Sequence, residues 1–196
     1  MNLPGKSDLN PVSHPLNLSE RPLLWQAAAL VAGTLFLTLC SWIEVPMVPV
    51  PVNMQTFGVA VIGALYGWRL GAITVLAWLA EAAMGLPVLS GGAAGAHHFV
   101  GPTAGYLFAF PLVAMLVGWL TEKGWNGQNP VLACAAMLLG NAACLGLGAA
   151  WLAMSIGAEP ALIHGVLPFL VGAALKSALG AALLAVLSRG GKHASS

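Results

Sequence analysis

Two ionisable side chains, Glu81 and Lys176, stand inside otherwise apolar stretches of this chain. Burying a charge at the centre of an apolar membrane helix costs about 2.5–3.5 kcal/mol, so each needs a partner, water or a ligand. Counted from the ends of their stretches, the two reach a similar depth, a little past the middle. One reading is a structural ion pair, or an ammonium that snorkels to the interface along its aliphatic stem. The other is a binding site. Gly172 and Gly180 lie about one helical turn to either side of Lys176, a small-residue stripe that admits a close helix or a ligand. A buried ammonium on such a stripe is a natural counterion for a carboxylate ligand. Asn141 is a third internal polar group, on one helical face with Met137, Cys144 and Gly148. Its amide offers donors and an acceptor, suited equally to joining two helices and to meeting a ligand.

The elements that must hold these groups are apolar throughout. Of 196 residues, 59% are hydrophobic and 7% charged, with a mean hydropathy of +0.86. A soluble domain carries about 25% charged residues, so this composition defines a membrane protein and excludes disordered or coiled-coil chains. A net charge of +1 leaves no basic cluster for nucleic-acid phosphates. Crossing a hydrocarbon core takes about 20 helical residues. Six stretches serve: Pro22–Ile43, Met54–Trp68, Leu70–Gly85, Gly101–Leu120, Pro130–Ser155 and Ala161–Leu187. They predict an all-α membrane protein, a bundle of six transmembrane helices forming one domain over 22–188, between a flexible tail at 1–21 and another at 189–196. The second and third stretches are short, which points to irregular backbone buried against protein, as beside a cavity.

Basic residues orient the bundle. Lys6, Arg21, Arg69, Lys123, Arg189 and Lys192 all fall on one side of the predicted spans, whereas the opposite loops carry Glu44 and Glu159 and no Lys or Arg. Both termini are therefore expected in the cytoplasm, with the loops at 45–53 and 86–100 facing out. The first of these holds Pro46, Pro49 and Pro51, a stiff extended lead into Gln55 and Thr56. The second is apolar and then glycine-rich around Ser90, Gly91 and Gly92, which suits a lid over a cavity. His97 and His98 follow. Neighbouring side chains diverge, and only His164 joins them on this face, so no metal site is expected. Cys40, Cys134 and Cys144 lie in apolar runs and read as packing residues rather than a disulfide framework.

The run Val50-Pro51-Val52-Asn53-Met54-Gln55-Thr56-Phe57-Gly58 is followed by Leu70-Gly71-Ala72, by Gly85-Leu86-Pro87-Val88 with its glycine-rich continuation, and by Gly101-Pro102-Thr103-Ala104-Gly105-Tyr106-Leu107. In this order, and resuming at Pro168-Phe169 to Lys176, the chain resembles the BioY family, the biotin-specific substrate-binding membrane subunits of energy-coupling factor (ECF) transporters. The resemblance implies an ECF S-component-like six-helix bundle that binds biotin from the outer face and works with a transmembrane coupling (T) subunit and ATPase subunits in the bacterial plasma membrane. It implies no cofactor, and catalysis, if ATP supplies the energy, belongs to the partner subunits. Small residues of the first helix, Ala28, Ala32 and Gly33, are expected to dock the coupling subunit.

The same resemblance makes Lys176 a biotin contact, toward either the carboxylate or the ureido end. Gln55, Thr56 and Tyr106 are expected to hydrogen-bond near the mouth, Trp78 to form an apolar wall, and Ser90 and Gly91 to lie in the loop that covers the ligand. The chain departs from the family pattern at Ala173, where an aspartate facing the ureido ring is common, and at Gly91 and Gly92, where an asparagine is common. Glu81 or Asn141 is left to meet the ureido group. Competing readings are a subunit for another vitamin, a proton-coupled carrier using Glu81, and an intramembrane enzyme. No Gly-x-Ser-Gly lies on a span and no phosphate-binding Gly-x-x-x-x-Gly-Lys occurs, so the enzyme reading has no candidate nucleophile and any ATP use falls to a partner. Whether the chain transports alone, or forms a homo-oligomer, the sequence leaves open.

Overall fold

The computed structural model describes residues 21–46 and 48–193. The tail expected at 1–21 therefore lies outside the described residues except for Arg21. The order of elements is α1 (Leu23–Trp42), β1 (Glu44–Val45), β2 (Val52–Asn53), α2 (Gln55–Ala83), short 3-10 turns at Ser90–Gly92 and Ala96–Phe99, then α3 (Ala104–Glu122), α4 (Pro130–Ile156), α5 (Ala158–Gly165) and α6 (Phe169–His193). Five of these helices are long and apolar enough to cross a membrane. The α2 and α3 helices form the interior of the bundle, and α1 and α6 flank it with one apolar face outward, as at Val31, Leu35 and Leu39 on α1 and Leu175 and Leu179 on α6. In lipid those side chains need no further partner.

The second and third expected spans are one helix folded on itself. Gly67 leaves helical geometry with φ of +79°, a conformation that costs a side-chain-bearing residue but not glycine. A Cβ on Gly71 would lie 2.9 Å from the Gly63 Cα. Along a straight helix those residues would be about 12 Å apart, so α2 doubles back and its arms, 55–66 and 68–83, pack backbone to backbone. Gly63 and Gly71, four residues to either side of the break at Gly67, thus meet in an internal contact. The break falls at Gly67, ahead of Arg69, where the turn was expected, and the folded helix restores six passes.

The last expected span is also divided. Gly157, with φ of +91°, ends α4, the short α5 follows, and Pro168 stands ahead of α6, where a ring without an N–H cannot continue a preceding helix. The α6 helix runs on to His193, past residue 188. In the proline-rich loop, β1 and β2 pair antiparallel with Glu44 opposite Asn53 and Val45 opposite Val52, a two-stranded ribbon inside an otherwise helical fold. Because α2 folds back, this ribbon and the segment 86–103 emerge at the same end of the bundle. Trp42 Nε1 donates to the Pro87 carbonyl at 3.1 Å and joins α1 to that segment.

Candidate ligand-binding cavity

At that end the ribbon, the 3-10 segment and helices α2, α3, α4 and α6 enclose a cavity of about 300 Å³. Its lining is mainly apolar, with Tyr106, Leu107, Phe110, Leu145 and Phe169 among the residues that form it. The Tyr106 and Phe169 rings stack at 6.5 Å. Asn53, Gln55, Thr56, Ser90, Asn141 and Lys176 bring polar groups to the same cavity.

Lys176 is the one Lys, Arg, Asp or Glu in the lining among the described residues. Its Nζ donates to the Asn53 backbone carbonyl at 2.8 Å and to Thr56 Oγ1 at 3.0 Å. An ammonium carries three donors, so one remains for a ligand. The small-residue stripe around Lys176 divides by function: Gly180 receives the Met137 side chain of α4, and Gly172 lies beside the lysine stem and Val52. Asn53 organises the rest. Its Nδ2 donates to Gln55 Oε1 at 2.9 Å and to Ser90 Oγ at 2.8 Å, and its Oδ1 accepts from the Gln55 N–H at 3.1 Å. Gln55 Nε2 reaches Ser41 of α1 at 3.2 Å, and Ser90 donates to the Glu44 carboxylate on β1. A network of short polar links therefore ties α1, the ribbon, α2, the 3-10 turn and α6 together around the cavity.

Asn141, on the α4 side, is buried at 4% exposure. Its Nδ2 donates to its own helix at the Met137 carbonyl, 3.0 Å, and to Ser177 Oγ of α6, 3.1 Å. His98 lines the cavity as well, and its ring lies 4.1 Å from that of His97. The tight 3-10 turn holds these neighbours together, where divergence was expected. Partial burial and the adjacent His97 hold the His98 imidazole below its ordinary pKa.

Of the residues singled out in the sequence, Lys176, Asn141, Gln55, Thr56, Tyr106 and Ser90 converge on the cavity. Five placements differ from expectation. Glu81 is half-buried and outside the lining: the buried stripe of its arm runs through Val75, Trp78, Leu79 and Ala82, and Glu81 sits off it. It does not pair with Lys176, whose partners are named above, and the proton-carrier reading loses the carboxylate it needed. Trp78 stands behind the wall, packed on Phe110 at 6.0 Å and donating to the Val88 carbonyl at 3.2 Å. Gly91 is exposed, in a turn with φ of +62° beside the Glu44 carboxylate. Tyr106 presents its ring, since its hydroxyl donates to the Gly165 carbonyl at 2.8 Å. On α1, Ala28 and Ala32 are exposed, whereas Gly33 is buried against Thr74 and Tyr66 and does not share their outward surface. Asn53 and Glu44 join the site without having been singled out by sequence. The signal for Asn53 was its place two residues before Gln55, at the end of the proline-rich lead.

A helical membrane bundle that closes a mostly apolar cavity around one cation is a small-molecule-binding membrane protein of the kind that serves transport. The chain belongs to the BioY family, which it matches over residues 13–192. It is 36% identical over 129 residues to the probable biotin transporter BioY of Pyrococcus horikoshii, covering 66% of this chain and 75% of that protein. It is 38% identical over 125 residues to the biotin transporter BioY of Rhizobium etli, covering 62% and 65%. Its fold is similar to the crystal structure at 2.1 Å of the S-component for biotin from an ECF-type ABC transporter, with a TM-score of 0.74 and 29% identity over 86% of this chain and 95% of that one.

Proposed function

We propose that this chain binds biotin in the cavity and carries it into the cell as the substrate-specific subunit of an ECF-type transporter in the bacterial plasma membrane. The observation that carries the reading is Lys176, a buried ammonium with a spare donor and, among the described residues, no carboxylate partner, in the wall of a mainly apolar chamber. Biotin brings a carboxylate and a ureido carbonyl, either of which accepts from that donor, and an apolar bicyclic body for the Tyr106–Phe169 side. The volume is at the small end of the range of about 300–1,000 Å³ for ligand pockets, which suits a vitamin. Family membership and the names of the relatives support the same ligand.

Gln55, Thr56, Ser90 and Asn141 complete the polar contacts, and the aromatic pair Tyr106 and Phe169 part of the apolar ones. The termini lie in the cytoplasm, a reading supported by the basic residues of the far end: Arg69 stacks on Trp68, Lys123 stacks on Trp119, and the Trp68 N–H donates to Glu122 at 3.2 Å. Energy comes from ATPase subunits through a coupling subunit that docks on the exposed small face of α1 at Ala28 and Ala32. The test is equilibrium binding of radiolabelled biotin to the purified chain in detergent, with other vitamins as competitors. Saturable retention displaced by biotin alone is expected, and retention of a different vitamin in its place overturns the reading.

A further inference from the structure

The three amide side chains that line the cavity differ in one respect. Both ends of the Asn53 and Gln55 amides are committed to protein groups. The Asn141 amide commits only its nitrogen, to the Met137 carbonyl and to Ser177 Oγ. The Met137 carbonyl can only accept, so the amide cannot be turned the other way, and Oδ1 is left as the group that Asn141 offers the cavity. At 4% exposure this is, among the described residues, a buried acceptor without a partner, a state that is costly unless something donates to it.

We infer that Asn141 Oδ1 is a specificity-determining acceptor that receives a ureido N–H of the bound ligand. The inference rests on the reading of the ligand as biotin, and its chemistry is selective in two ways. An acceptor rejects a carboxylate by repulsion, so the acidic end of the ligand is kept away from this wall. It also rejects a ring that is isosteric but lacks the N–H, because the buried oxygen is then left unpaired. The link from Asn141 to Ser177, the neighbour of Lys176, fixes the acceptor to the helix that carries the cation.

The test compares biotin with its two cyclic carbamate analogues, in each of which one ureido N–H is replaced by oxygen. All three are titrated against the wild-type chain, Asn141→Leu and Ser177→Ala. Wild-type protein is expected to bind one carbamate about ten- to a hundredfold more weakly than biotin. Asn141→Leu is expected to lose a similar factor for biotin and to lose nothing further for that carbamate. Ser177→Ala removes the partner of the amide but leaves the acceptor, and is expected to keep the discrimination. Independent, multiplying losses in Asn141→Leu, or equal affinity of the wild type for all three ligands, overturn the inference while leaving the biotin reading intact. A wild-type chain that binds none of the three overturns both.

Discussion

Lys176 and Asn53 stand 123 positions apart in the chain and meet through a 2.8 Å hydrogen bond from ammonium to backbone carbonyl. A carbonyl cannot be mutated away, so the last helix is pinned to the ribbon by a contact that depends on Lys176 alone. The bond is also the reason the ammonium stands ready at the cavity rather than snorkelling toward an interface.

Replacing Lys176 separates binding from folding. Lys176→Met removes a charged donor from the ligand and is expected to weaken biotin binding about 10- to 150-fold, the worth of a charge-assisted hydrogen bond. The same change relieves the burial of an unpaired charge but removes the bonds to the Asn53 carbonyl and Thr56, so the two effects oppose and the ligand-free protein should melt within a few degrees of wild type. Melting curves with and without saturating biotin check both halves: the shift caused by ligand should shrink by the amount that the roughly 10- to 150-fold loss of affinity sets.

Glu81→Gln should leave biotin affinity within about twofold of wild type, since the side chain is outside the cavity lining. A large loss measured by isothermal titration would place the carboxylate in the ligand path after all.

Ser90 is the link between the segment that covers the cavity and the ribbon, donating to Glu44 and accepting from Asn53. Ser90→Ala breaks both bonds and should speed biotin release by about fivefold, most of the effect appearing in the off-rate because the complex rather than the encounter is loosened. Chase of labelled ligand by excess unlabelled biotin reads this directly.

The pKa of His98 is lowered by burial and by His97. A histidine held below its unfolded value of about 6.5 binds protons less readily when folded, so stability is fully present above that pH and is lost as pH falls through the folded value. Thermal stability of the ligand-free protein is therefore expected to decline between pH 7 and pH 5, and His98→Gln should flatten part of that slope.

Ala28→Trp and Ala32→Trp fill the exposed small face of α1 without touching the cavity. Both variants should bind biotin as wild type does yet fail to support uptake in cells that supply the ATPase and coupling subunits. Loss of binding and uptake together would remove α1 as the docking face.

Lys176 was legible in the sequence because a charge flanked by glycines in an apolar run must turn toward the bundle interior rather than lipid. Asn141 was legible because a polar amide in such a run needs a partner. The place of Glu81 was not legible, because depth along a helix says nothing about azimuth: the buried stripe at Val75, Trp78, Leu79 and Ala82 passes beside it. Trp78 suits a cavity wall by composition alone, and its place one layer back follows from packing on Phe110 that no local pattern encodes. The doubled α2 was visible as two short spans meeting at Arg69. Its break was read two residues late, because Gly67 is one of three equally spaced glycines and only the tertiary contact between Gly63 and Gly71 selects it. The ribbon was hidden by its prolines, which read as extended chain and carry no sign of which strand would pair with which.

The arm of α2 that descends from Thr56 to the fold at Gly67 has a consequence for the barrier beneath the cavity. Residues 55–66 rise about 18 Å, against a hydrocarbon thickness of about 30 Å. The tip is buried against the end of α3, where the Trp68 N–H meets Glu122, so packed protein rather than lipid fills the space beneath the short arm. A ligand in the chamber is therefore separated from the opposite aqueous phase by a plug made of the bundle's own helices.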